Sequence, residues 1–248
     1  CQYQLLEWLA QAEVGQELLI IGENHAGVRS VEKMLEPFGN IAKIDSARRC
    51  GLYHFELQNV PTFNAKKFWK SYVLNDLTIS ALPAVFSSAE LDGGTKLLLS
   101  TFHKADGLKG KVLDLGCGAG VIGASLKKQF PKIKLTMSDI HAMAIASSKR
   151  TLAENALEGE VLASDVFSHI EGRFDLIVSN PPFHDGVDTA YQAVENLILQ
   201  AKNHLTKGGE LRIVANAFLP YPDLLDRAFG KHEVVAKSTK FKVYAARN

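Results

Sequence analysis

Lys111-Val112-Leu113-Asp114-Leu115-Gly116-Cys117-Gly118-Ala119-Gly120 is a short apolar run that breaks into a glycine-rich turn, and a helical pattern opens at Val121 directly after it. A strand, loop and helix in that order place the loop at a strand's carboxyl end beside a helix amino terminus, where open α/β sheets take their ligands. Glycines suit the loop because a Cβ would hold the backbone away from a ligand or forbid positive φ values. Gly118, Gly120 and Gly123 also spell G-x-G-x-x-G, and Asp139 follows Gly120 by 19 residues, so the same letters fit a nicotinamide dinucleotide. Asp114 argues the other way: a carboxylate at the strand's end repels a pyrophosphate and attracts a cation.

Outward from this loop, short apolar runs alternate with helical patterns, as in a parallel sheet covered on both faces. Strands are expected at 112–115, 133–138, 160–163, 175–179, 210–215, 232–236 and 241–245. Between Tyr191 and Leu205 the residues Val194, Leu197, Ile198, Ala201 and Leu205 keep a 3.6-residue period, and Gly208-Gly209 is expected to end that helix. Only Lys237 to Lys240 separates the last two strands, too few residues for a crossover, so they should pair antiparallel. The expectation is an open seven-stranded sheet, mostly parallel with one reversed strand.

A second string carries the chemistry. Phe174 to Ser179 reads as a buried strand that ends in Asn180-Pro181-Pro182-Phe183, at the same sheet edge as the glycine loop. By composition such a string arises by chance in about two chains of this length in a thousand, so its position after the fourth strand carries weight. An amino group on a purine ring delocalises its lone pair and is a poor nucleophile. The Asn180 side-chain oxygen and the Pro181 carbonyl could each accept one of its N–H groups and aim the nitrogen. Pro181 and Pro182 fix φ and hold those acceptors in advance. Phe183 offers a stacking face for a base, and His184 is expected to line the base pocket rather than to pair with Asp185.

The strand plan and the glycine loop resemble class I S-adenosylmethionine-dependent methyltransferases, a Rossmann-like α/β fold. The resemblance implies S-adenosylmethionine as cofactor, held by Asp114, Gly116, Gly118, Gly120, Asp139 and Asp165. Asp139 would accept both ribose hydroxyls and Asp165 the adenine amino group, although Asp139 also suits a helix start before His141. Phe86 and the run Leu91-Asp92-Gly93-Gly94-Thr95 resemble the segment that covers the cofactor in that class. It implies Asn180, Pro181 and Phe183 as catalytic residues and Pro182 and His184 as substrate contacts.

The chain has 248 residues, 46% of them hydrophobic, with a net charge of +1 and three cysteines. No apolar stretch reaches the roughly 20 residues of a spanning helix, and a cytoplasmic monomer without metal or membrane partners is expected. Cys1, Cys50 and Cys117 lack metal-ligand spacing. With so little net charge, a nucleic acid would have to be held by local patches. Arg29, Arg48 and Arg49 are candidates, as is the basic tail Lys231, Lys237, Lys240, Lys242 and Arg247. Gly15-Gln16-Glu17-Leu18-Leu19-Ile20-Ile21 echoes Gly208-Gly209-Glu210-Leu211-Arg212-Ile213-Val214, Phe38-Gly39 answers Phe229-Gly230, and Tyr53 answers Tyr244. The expected organisation is the last part of a degenerate methyltransferase-like domain at 1–60, with its opening strands upstream of Cys1. A connector at 61–75 and a catalytic domain at 76–248 follow.

Asn180 to Gly186, the run from Gly209 to Tyr221, and Asp45 to Tyr53 together resemble the bacterial small-subunit ribosomal RNA guanine-N2 methyltransferases over nearly the whole chain. That family resemblance implies methylation of the exocyclic amino group of a guanine in 16S ribosomal RNA, with ribosomal RNA or the small subunit as partner. Because that amino group is engaged or buried in a paired guanine, the base should be drawn out of its stack. The alternatives are an amino methyltransferase of DNA adenine or of a protein glutamine amide, a non-enzymatic RNA-binding assembly factor, and a dehydrogenase.

Overall fold

The computed structural model describes residues 2–181 and 188–248, without the side chains at 188–191 and 193. Two compact units divide the chain, Cys1–Phe68 and Trp69–Asn248.

The first unit contains α1 (Gln2–Leu9), β1 (Glu17–Glu23), α2 (Val31–Leu35), β2 (Gly39–Ala47) and β3 (Cys50–Leu57). Its three strands pair antiparallel in the order β1-β3-β2. Alternation along β3 turns Tyr53, Phe55 and Leu57 into a core with Leu9, Val31 and Leu35. The opposite face of β1 leaves Leu19 and Ile21 exposed, and its outer edge pairs with no strand among the described residues.

The second unit begins with a hairpin, β4 (Lys70–Leu74) and β5 (Leu77–Ala81), followed by α3 (Gly93–Leu99). Then come β6 (Gly110–Leu115), α4 (Val121–Gln129), β7 (Ile133–Asp139), α5 (Ala142–Glu154), β8 (Glu160–Ala163), β9 (Phe174–Ser179) and α6 (Asp188–Ala201). The chain closes with β10 (Leu205–Asn216), α7 (Tyr221–Phe229), β11 (Glu233–Lys237) and β12 (Phe241–Arg247). Seven strands form one sheet, ordered β11-β12-β10-β9-β6-β7-β8, in which only β12 is reversed. This is the class I methyltransferase sheet. The strand order turns back between β6 and β9, and a ligand crevice opens at the carboxyl ends of strands that diverge in this way.

All seven expected strands form, but the expected end of the long helix is corrected. The helix stops at Ala201, a single 3₁₀ turn covers Lys202–His204, and wholly buried Leu205 already pairs with Phe174 in β10. Gly208-Gly209 therefore make a bulge inside β10 and not a helix cap. Gly208 has φ +77°, and a Cβ on Gly209 would sit 2.9 Å from the Phe174 carbonyl oxygen. Leu205 misled the periodicity because it faces the same core as Val194, Leu197, Ile198 and Ala201.

Helix α5 carries a buried polar stripe of Ser147, Ser148 and Thr151. Leu82 N–H donates to the Ser147 hydroxyl (3.0 Å), Ser80 N–H donates to the Thr151 hydroxyl (3.1 Å), and the Asn155 amide bonds both backbone groups of Thr78. These bonds satisfy the hairpin's inner edge and attach it to the sheet layer.

Candidate active site

The glycine loop is pinned at both ends. Gly116 and Cys117 N–H donate to the Ser138 carbonyl at the end of β7 (2.8 and 2.9 Å), and Gly123 N–H donates to Asp114 Oδ2 (2.8 Å). Gly116, Gly118 and Gly120 all have positive φ. At Gly120 a Cβ would also meet Met137 Cε at 2.7 Å, so the loop fits closely over β7 and α5. Two polar atoms beneath it, Asp114 Oδ1 and Ser138 Oγ, are buried without a hydrogen-bond partner among the described residues.

Asp114 is wholly buried, and burial pushes its carboxyl up to about 7; the Gly123 N–H opposes this and the nearby Asp139 charge adds to it. Asp139 sits differently. Its Oδ2 accepts from Gly118 N–H (2.9 Å) and its Oδ1 from His141 N–H (2.9 Å), so the residue anchors the glycine loop and the start of α5 together. Both oxygens keep a lone pair for a ligand hydroxyl.

A cavity of about 530 Å³ opens over these groups. Gly116, Gly118, Asp139, Asp165, Asn180 and Pro181 all line it, so the glycine loop and the Asn-Pro string face one space. Asp114 and Gly120 support it from beneath and do not line it. Pro182, Phe183 and His184 lie outside the described residues. Phe86, expected to cover a cofactor, lines the rim and is half exposed.

Several cavity residues escaped the sequence reading: Ala84, Ile140, Val166, Asn216 and Phe241. Ala84, Ser87 and Val166 hold φ of +64°, +57° and +48°, and for β-branched Val166 this is an outlying conformation. Strained backbone clusters at ligand sites because neighbouring structure over-determines it, but no single-residue signal announces it. Ser164 Oγ, donating to the Val166 carbonyl (2.9 Å), is one such restraint.

Asn180 is buried at the end of β9. Its Nδ2 donates to Asp92 Oδ2 (2.9 Å) and to Thr95 Oγ1 (2.8 Å), while its Oδ1 is buried and has no partner among the described residues. Ser179 Oγ, donating to the Leu115 carbonyl (2.7 Å), ties the same turn to the glycine loop's strand.

The reversed seventh strand, the glycine loop at the sheet's turning point and an acidic residue ending β7 together define a class I methyltransferase that uses S-adenosylmethionine. Buried oxygens without a partner among the described residues and a cradle that a Cβ would fill fit that donor. Residues 76–245 match the family model described as methyltransferase small domain, and residues 1–72 match the one described as methyltransferase small domain N-terminal. The chain belongs to the methyltransferase small domain family. It is 82% identical over 247 residues to ribosomal RNA small subunit methyltransferase C of Actinobacillus pleuropneumoniae, covering 100% of this chain and 75% of that protein. The protein of the same name from Haemophilus ducreyi is 73% identical over the same length, with the same coverage of both chains. A solved structure of the T. thermophilus 16S rRNA N2 G1207 methyltransferase, in complex with AdoMet and guanosine, superposes with a TM-score of 0.88. That chain is 26% identical, and the match covers 100% of this chain and 68% of it.

Proposed function

We propose that this enzyme methylates small-subunit ribosomal RNA, and that the acceptor is the exocyclic N2 amino group of a guanine. The observation that carries the reading is Asn180 Oδ1, a buried acceptor without a partner among the described residues, in the same cavity as the glycine loop. The names of the relatives, and the guanosine in the T. thermophilus complex, supply the substrate class.

When bound, S-adenosylmethionine supplies an electrophilic methyl group on a sulfonium. Gly116 and Gly118 leave backbone open to it, Asp139 offers lone pairs to its ribose hydroxyls, and Asp165 can accept from its adenine amino group. Asp114 supplies negative charge beneath the loop once ionised. On the acceptor side, Asn180 Oδ1 and the Pro181 carbonyl take the two N–H groups of the guanine amine and point its nitrogen toward the methyl. Phe183 is the candidate stacking plate for the extruded base, and Pro182 and His184 are the candidate substrate contacts, all three proposed from the sequence. Holding nucleophile and electrophile in line contributes on the order of 7–11 kcal/mol. No strong base is needed, because the nitrogen's proton becomes acidic as the new bond forms. Arg48 and Arg49, exposed at the tip of the β2–β3 turn, are proposed to contact RNA phosphates.

The test is mass spectrometry of nucleosides from small-subunit RNA, small subunits and DNA after incubation with enzyme and donor, with labelled protein scored in parallel. N2-methylguanosine in the ribosomal RNA is the expected product. Methyl label found solely in DNA or in protein would end the reading.

A further inference from the structure

The run Leu91-Asp92-Gly93-Gly94-Thr95 has a task that its turn chemistry alone does not explain. Asp92 caps α3 by accepting Thr95 N–H at Oδ2 (2.9 Å), and the same oxygen accepts from Asn180 Nδ2 at 2.9 Å. Thr95 Oγ1 takes the other Nδ2 hydrogen at 2.8 Å. A carboxylate can only accept, so the end of the Asn180 amide that faces Asp92 must be its NH₂. Both amide hydrogens are then used, and the end left for the cavity is a carbonyl oxygen with no partner among the described residues. Gly94 leaves the space for this arrangement, since a Cβ there would stand 3.0 Å from Asp92 Oδ2 and 3.3 Å from the Phe241 ring.

We infer that Asp92 and Thr95 are positioning residues that set the polarity of the Asn180 amide, making it an obligate acceptor and so selecting a substrate that presents an amino group. This rests on the role proposed above for Asn180. A primary amide is nearly symmetric in shape and can present either end. Without the clamp, the rotated form would direct an N–H at the substrate's own N–H. With it, the site rewards an amine and leaves a buried oxygen unsatisfied by an analogue that lacks one. The clamp also ties α3, a short helix distant in sequence, to the residue that follows β9.

Guanosine and inosine differ only in the 2-amino group and make the probe pair. Their affinities are measured by NMR titration in the presence of S-adenosylhomocysteine for the native chain and for Thr95→Val, Thr95→Ser, Asp92→Ser and Asp92→Asn. The native chain is expected to prefer guanosine by about tenfold. Asp92→Ser leaves only hydroxyls, which donate or accept, and should bring the preference to within about twofold of unity with S-adenosylhomocysteine affinity held within about threefold, whereas Thr95→Val leaves the Asp92 carboxylate facing the amide and should keep most of the preference. Thr95→Ser keeps the hydroxyl and Asp92→Asn keeps an acceptor fixed by the Thr95 N–H, so both should retain the preference. A preference that survives in Asp92→Ser overturns the inference. So does one lost equally in Thr95→Ser and Thr95→Val, because position 95 would then act by packing. Absence of any preference in the native chain is the distinct result that removes the guanine-amine reading itself, and the clamp's role with it.

Discussion

Asn180 and Asp114 are both buried polar residues at strand ends, yet their surroundings ask opposite things of them. Asn180 needs no titration to act, and its proposed contact is with the acceptor and not the donor: Asn180→Ala is expected to leave donor affinity within about threefold while lowering kcat by at least about 100-fold. Near-normal turnover in that variant, measured by single-turnover methyl transfer, would refute its assigned role. Asp114 is governed by protons. Burial raises its carboxyl from 3.8 to about 7, so the folded chain holds a proton that the unfolded chain has lost between those values. Its contribution to stability is therefore whole below 3.8 and is lost as pH rises through about 7. A bound cation favours the carboxylate, so donor binding below about pH 7 should release a proton, and donor affinity should weaken as pH falls toward about 5. Calorimetry in two buffers of different ionisation enthalpy counts that proton. Asp114→Asn should flatten the dependence, and an unchanged pH profile in the variant would disprove it. Asp114 and Asn180 could both be picked from the sequence because each sits beside a rare string. The Asp92 and Thr95 contacts could not, since residues 85 and 88 positions away meet Asn180 only once α3 packs against the sheet.

Two hairpins contrast at the scale of elements. Both have two-residue turns whose central residues need positive φ: Arg48 and Arg49 (+49° and +65°) between β2 and β3, Asn75 and Asp76 (+46° and +61°) between β4 and β5. Asn and Asp tolerate that region, whereas arginine is held in it at a cost of about 1 kcal/mol per residue. Replacing Arg48-Arg49 with Asn-Gly is therefore expected to stabilise the chain by about 1–2 kcal/mol in urea denaturation while weakening RNA binding and lowering its salt dependence. Stability and binding moving in opposite directions would identify arginines kept for their charge; unchanged RNA affinity would not. On α5, Asn155→Ala removes both bonds to Thr78 and leaves backbone groups unpaired, and should cost about 2 kcal/mol by the same measurement. The β4–β5 hairpin was not legible in the sequence, since its first strand fell inside the expected connector at 61–75. Nor was the bulge at Gly208-Gly209, because a glycine pair after a periodic run signals a helix end and a strand irregularity alike.

Across the whole molecule, a three-strand pattern occurs twice. β1-β3-β2 and β10-β12-β11 share order and antiparallel sense, and Ile20 opposite Tyr53 in the first matches Ile213 opposite Tyr244 in the second. This correspondence supports the proposal that the first unit derives from a methyltransferase-like domain, and the chain spans 75% of the length of its curated relatives. Every residue lining the donor cavity belongs to the second unit. Hydrogen exchange with and without S-adenosylhomocysteine should accordingly slow amides at Gly116 to Gly118 and near Asp139 and leave β3 of the first unit unchanged. Equal protection in β3 would contradict a donor site confined to one unit. The sequence by itself determined the seven strands of the large sheet, the reversed partner at the end, the glycine loop and the Asn-Pro string, because these depend on local periodicity and on glycine and proline backbone limits. Only the tertiary structure decided which end of the Asn180 amide faces the cavity, how deeply Asp114 is buried and where the backbone is strained, because each depends on atoms that distant segments bring together.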